Sequence, residues 1–156
     1  MARECKIRIK IGNGSIQDAI TAWGLYLIDS DDTIIAPIRE YESVEFPEEA
    51  KAEVYPYTTL KPFDYKCTLL CFGDLDTVNT TVRTFYDSLF TITPGVDLRQ
   101  ALEITIYNDH KGMQLTGYAK PVDSKDYYPQ LAEHEKGAYL FDFVLYVADP
   151  KTLTPL

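Results

Sequence analysis

The sequence is poor in the residues that carry most enzyme chemistry. Two of 156 residues are histidine and three are cysteine, and no Cys-x-x-Cys or Cys/His spacing suited to zinc occurs. His110 follows Asp109 in an expected hairpin loop and His134 lies in a charged stretch. Neither belongs to a nucleophile, base and orienting acid legible along the chain, so both read as solvated turn residues and no catalytic residue is assigned. The eight glycines are scattered singly, which excludes a Walker loop and a dinucleotide fingerprint. Any two of the 24 acidic residues could meet as a glycosidase pair, and that abundance is why none can be nominated.

Long apolar runs are missing too. Nothing approaches the roughly 20 apolar residues of a membrane helix, and the opening MARECKIRIKIG has charges without an apolar core behind them, so neither a signal peptide nor a membrane anchor is expected. Cys67 and Cys71 stand four apart in a strand-like run, about 13 Å at the usual rise and beyond disulfide reach. With Cys5 they are expected as buried free thiols of a chain folded in a reducing compartment.

Positive charge is scarce as well: 15 Lys and Arg face 24 Asp and Glu, for a net charge of -9. That balance argues against a surface built to neutralise phosphates, so no sequence-specific nucleic-acid partner is expected. The one dense basic group, Lys6, Arg8 and Lys10, alternates with Ile7, Ile9 and Ile11, as the solvated or partner-facing row of a two-sided strand does. Asp29-Ser30-Asp31-Asp32-Thr33 with Glu40 imitates part of a calcium loop, but Ile34 stands where the sharp turn needs glycine. It reads as a solvated hairpin turn, and neither metal nor cofactor is assigned.

What the chain does have is apolar and aromatic substance: 46% hydrophobic and 13% aromatic residues, with twelve Tyr against one Trp. A linker or disordered segment carries far less. The length suits one domain over 1–156, with about two-thirds of the unfolded surface buried. Residues 5 to 12 alternate as a strand and stop at Asn13-Gly14, a strong turn signal. Ser15 to Trp23 fits a short helix or a loop, Gly24 to Ile28 a strand, and Thr33 to Phe46 a strand limited by Pro37 to an edge or bulge. The segment 47–62, with Pro47, Pro56, Pro62 and several glutamates, predicts a long excursion of the kind that binds or orders on assembly, with Tyr55 and Tyr57 either contact candidates or tucked back onto the domain's own core.

Farther on, Tyr65 to Phe72 predicts a strand, and Leu75, Val78, Val82, Phe85 and Leu89 trace one stripe of a helix over about 76–90, ended by Thr93-Pro94-Gly95. Four threonines within it are weak helix formers, so that helix must draw its stability from packing. Leu102 to Tyr107 and Met113 to Val122 predict a hairpin, 123–137 a polar loop, and Tyr139 to Val147 a closing strand with Tyr139, Phe141, Phe143, Leu145 and Val147 on one face. The expected class is α+β, mainly β: an antiparallel β-sandwich or barrel with one packed helix.

From Cys67 onward this order resembles the distal tail and related tail-tube proteins of long-tailed bacteriophages. The residues that carry the likeness are the strand 65–72, the helix 77–90, the hairpin containing Leu115-Thr116-Gly117-Tyr118, and the terminal run Phe141-Asp142-Phe143-Val144-Leu145-Tyr146-Val147-Ala148-Asp149-Pro150. They cover about half of the chain. The resemblance implies a non-enzymatic subunit of a virion tail, assembled in the bacterial cytoplasm into a ring, typically a hexamer, beside other tail proteins. Distal tail members usually continue into a second domain and this sequence runs to Leu156, so distal tail, tube, terminator and adaptor roles all stand. Expected interface residues are Tyr55, Tyr57, Lys6, Arg8, Lys10, Tyr127 and Tyr128, with sheet edges and the loops 47–62 and 123–137 as contacts. The alternative is a monomeric β-sandwich module that binds carbohydrate or peptide on Tyr55, Tyr57, Tyr127 and Tyr128.

Overall fold

The computed structural model describes residues 6–48, 50–120, 123–128 and 137–156, the side chains of 123–126 excepted. Strand β1 (Ile7–Ile11) buries Ile7 and Ile9 and turns Arg8 and Lys10 outward, as its alternation requires. A turn closed by the Gly14 amide donating to the Ile11 carbonyl at 2.9 Å leads back into β2 (Ile16–Asp18). Asp18 then accepts from the Ile20 amide and caps the short helix α1 (Ala19–Trp23), so the ambiguous stretch holds both a strand and a helix. Gly24, at φ 69°, ends α1 in the left-handed region that glycine enters without strain. Strand β3 (Leu25–Ser30) follows and buries Leu25, Leu27 and Ser30.

Beyond Ser30 the chain departs from expectation. The stretch 33–46 contributes only β4 (Ser43–Val44) and an isolated bridge from Ile38 to Leu60. The expected loop 47–62 holds β5 (Glu53–Val54), antiparallel to β4. Together they form a single two-stranded arm. The Tyr55 amide donates to Glu42, the Arg39 amide to Thr59 and the Lys61 amide to Pro37, at 2.8, 2.9 and 2.8 Å. Proline lacks a donor but not an acceptor, and Pro37 enters the ladder through its carbonyl. The aspartates at 29–32 therefore make no hairpin turn: Ser30 is buried in β3, and Asp31 anchors the arm's base by accepting from the Lys66 amide.

Strand β6 (Phe63–Phe72) leads to helix α2 (Leu75–Ser88), whose N-cap Asp74 accepts from the Thr77 amide at 2.8 Å. The stripe holds at Val78, Val82, Phe85 and Leu89, but Leu75 is exposed. The helix stops at Ser88 rather than near residue 90. Phe90–Thr93 is strand β7 and Leu98–Ala101 is β8, so Pro94 and Gly95 turn a hairpin instead of ending the helix. β-Branched residues at 91–93 favour the extended chain. The predicted hairpin appears as β9 (Ile104–Asn108) and β10 (Met113–Ala119).

The polar segment 123–137 contains β11 (Asp123–Tyr128), paired with β12 (Ala138–Val147). Apolar periodicity could not reveal it, because its ladder is made by the backbone. The rest of that segment, 129–136 with His134, lies outside the described residues, as do Cys5, Pro121 and Val122. A 3₁₀ turn (Pro150–Thr152) and β13 (Thr154–Pro155) complete the described chain.

Nine strands form one sheet ordered β2-β1-β9-β10-β12-β6-β3, with β11 added on β12 and β13 on β10. Its two halves face each other across the core. Ile7, Ile9, Ile104, Ile106 and Leu115 come from one side, and Leu25, Tyr65, Leu69, Phe141, Phe143 and Leu145 from the other. They join where β10 crosses from β9 to β12, and there Gly117 is required: a Cβ would lie 2.2 Å from the Tyr146 carbonyl oxygen. Helix α2 seats Phe85 edge-on to Trp23 and Phe143, with centroids 5.1 and 5.4 Å away. The mainly antiparallel β architecture with one main helix agrees with the expected class.

Candidate functional site

The arm is the feature least explained by folding alone. β4 and β5 are exposed along their whole length, and a two-stranded ribbon is at best marginally stable in water. Residue pairing sets its faces: Val44 lies opposite Glu53, and Glu42 beside Tyr55, so one face carries both carboxylates with Tyr55. Tyr57 joins that face with its ring centroid 5.2 Å from that of Tyr55. The two tyrosines are 62% and 75% exposed, so they extend into solvent rather than tucking onto the domain's own core.

The basic row on β1 is gathered on one outward face, as its spacing requires, but much of its charge is met within the chain. Arg8 donates twice to the Asp109 carboxylate, both at 2.9 Å, and lies over the Tyr107 ring at 5.3 Å. The hydrogen bond to Asp109 raises the guanidinium pKa still further. Lys6 approaches Asp18 at 3.9 Å. Across the body, Lys111 pairs with Asp32 at the root of the arm.

The neighbouring tyrosines 127 and 128 are parted by strand alternation. Tyr127, opposite Tyr139, packs partly buried against the core, whereas Tyr128, opposite Ala138, faces outward and is exposed. Tyr128 belongs to a surface that sequence reasoning missed. On the outer face of β3, β6, β12 and β11, the side chains between the core positions include the apolar Tyr26, Leu70, Phe72, Leu140, Val144 and Tyr146 beside the polar Asp29, Asp64, Lys66 and Thr68. Tyr26 and Phe72 meet edge-on at 5.4 Å. At the centre, Thr68 donates to the buried Asp142 carboxylate at 2.8 Å. The signal was present in the apolar runs 69–72 and 143–148, which mark strands with apolar side chains on both faces.

Among the described residues, no three His, Cys, Asp or Glu side chains gather to hold a metal ion, and no helix is long and apolar enough to cross a membrane. No family model and no curated protein matches the sequence. The structure matches the crystal structure of Dit (gp 19.1) of phage SPP1, described as a paradigm of the hub adsorption apparatus in phages infecting Gram-positive hosts. The TM-score is 0.57 at 14% identity, over 92% of this chain. The fold is shared with a phage tail protein. This chain spans half the length of that protein.

Proposed function

We propose that the protein is a non-enzymatic structural subunit of a phage or prophage tail, of distal tail, tube or adaptor type, that assembles into a ring beside other tail proteins. The observation that carries this reading is the fold shared with the SPP1 hub protein over nearly the whole chain. The exposed arm supports it, since apolar and aromatic side chains presented on a ribbon that no described residue covers suit contact with a neighbour. A heterologous contact repeated around an axis closes a ring, and a net charge of -9 suits a tube through which DNA passes without sticking. The carbohydrate- or peptide-binding alternative is less well supported, because Tyr127 turns inward, away from Tyr128.

The test is solution mass by light scattering over a concentration series, for the whole chain and for a variant with 41–56 replaced by a short turn. The whole chain is expected to form a closed oligomer that the variant cannot form. A whole chain that stays monomeric at every concentration would count against self-assembly. An oligomer that persists without 41–56 would remove the arm from the contact.

A further inference from the structure

We infer that the arm is the outer half of the β3–β6 hairpin, carried on a hinge at 33–36 and Pro62 that lets it swing as one ribbon until a neighbour fixes its direction. The swing is a property of the single chain; its use rests on the reading of the arm as an assembly contact.

The pairing describes one hairpin with a break in it. β3 and β6 run antiparallel as far as Ser30 opposite Cys67, and the Asp31 amide donates to the Lys66 carbonyl at 3.0 Å. Pairing resumes where the Lys61 amide reaches the Pro37 carbonyl, continues through Ile38 and Leu60, and ends with β4 and β5. Between the two ladders the described residues 32–36 stand against 62–65 with no backbone hydrogen bond joining them. The outgoing side has one residue more, which bends the ribbon as a bulge does. On the returning side Pro62 brings no N–H, so the ladder does not run on from Lys61 into β6.

On each side of the break the chain is held. Directly after Pro62, Phe63 pairs with Val147 of β12. On the outgoing strand Ser30 is held by Asn108, Asp31 by the Lys66 amide and Asp32 by Lys111. The arm in turn has its own ladder bonds from the amides of Arg39, Tyr55 and Lys61. Arm and body are therefore joined through Pro62 on one strand and 33–36 on the other, and a few such residues absorb the backbone rotation of a hinge. Little packing holds the break in one shape. Ile34 and Ile35 are 71% and 77% exposed, and Ala36, which is buried, has only a methyl group to interlock with its surroundings.

Pulsed electron double resonance tests this on the full chain in a Cys5→Ser background, since Cys67 and Cys71 are buried. One sample carries nitroxides on Ser43→Cys of the arm and Gln17→Cys of the body, and the reference carries them on Gln17→Cys and Lys151→Cys. In dilute monomer the arm-to-body distance distribution is expected to be about twice as wide as the reference, the signature of a collective hinge motion. It is expected to narrow to the reference width on assembly, while hydrogen exchange finds the amides of Arg39, Tyr55 and Lys61 slower than those of 33–36. A monomer distribution as narrow as the reference would overturn the hinge and leave self-assembly standing. A wide distribution with those arm amides unprotected would also overturn it, because the arm would then be melting rather than swinging. A wide distribution that persists in the oligomer would keep the hinge, overturn its fixing by a neighbour, and remove the arm from the contact.

Discussion

Asn108 shows how a single residue fixes the relation between the two halves of the sheet. Fully buried on β9, it donates to the Ser30 hydroxyl at 2.8 Å and the Tyr65 hydroxyl at 3.0 Å, and accepts from the Lys111 amide at 3.1 Å. Replacing it by leucine removes three bonds and leaves polar groups buried, at about 1–3 kcal/mol. Asn108→Leu should lose that much in urea unfolding, and a loss below half a kcal/mol would mean that water replaces the amide. Gly117→Ala drives a Cβ into the Tyr146 carbonyl, which only backbone movement relieves, and overpacking of that kind costs about 1–3 kcal/mol. Its melting temperature should fall without any change in assembly surface. Burial pushes the thiols of Cys67 and Cys71 upward in pKa, so little thiolate exists near neutral pH. In a Cys5→Ser background, the folded protein should resist thiol-labelling reagents and yield two reactive thiols only on unfolding.

At the scale of elements, α2 depends on one aromatic contact set. Phe85 is fully buried between Trp23, Tyr86 and Phe143, while threonines weaken the helix itself. Phe85→Ala should cost about 3–5 kcal/mol by denaturant titration, and a smaller loss would show that the core collapses onto the gap. The helix was legible in sequence for the same reason that it is sensitive: its stability lies in a stripe whose period is visible. Strands β1, β6, β9, β10 and β12 were legible through apolar alternation or apolar runs, though only one face of β12 was recognised. Of the strand expected over 33–46 only β4 forms, and β5, the β7–β8 hairpin and β11 were not legible, because they bury little of their own and are defined by backbone pairing between residues of mixed polarity. Of the candidate contacts, Tyr55 and Tyr57 stand out in solvent, one of the two placements their surroundings allowed, whereas the alternation that turns Tyr127 inward depends on a strand the sequence concealed.

For the molecule as a whole, the opposing terms in self-association are its charge and its exposed apolar surface. Each copy carries 24 acidic against 15 basic residues, so two copies approach against a net repulsion that salt screens; the screening length falls from about 10 Å at 0.1 M to about 3 Å at 1 M. A contact built on the exposed arm tyrosines Tyr55 and Tyr57 gains from burying apolar area and loses little when its flanking ion pairs are screened. Association should therefore strengthen as sodium chloride rises from 0.05 to about 1 M, read as a growing mass in light scattering at fixed protein concentration. A contact carried by the β1 lysines and arginine would behave oppositely, with the mass falling over the same range. The sign of the salt dependence thus distinguishes an apolar seam from an ionic one before any residue is changed.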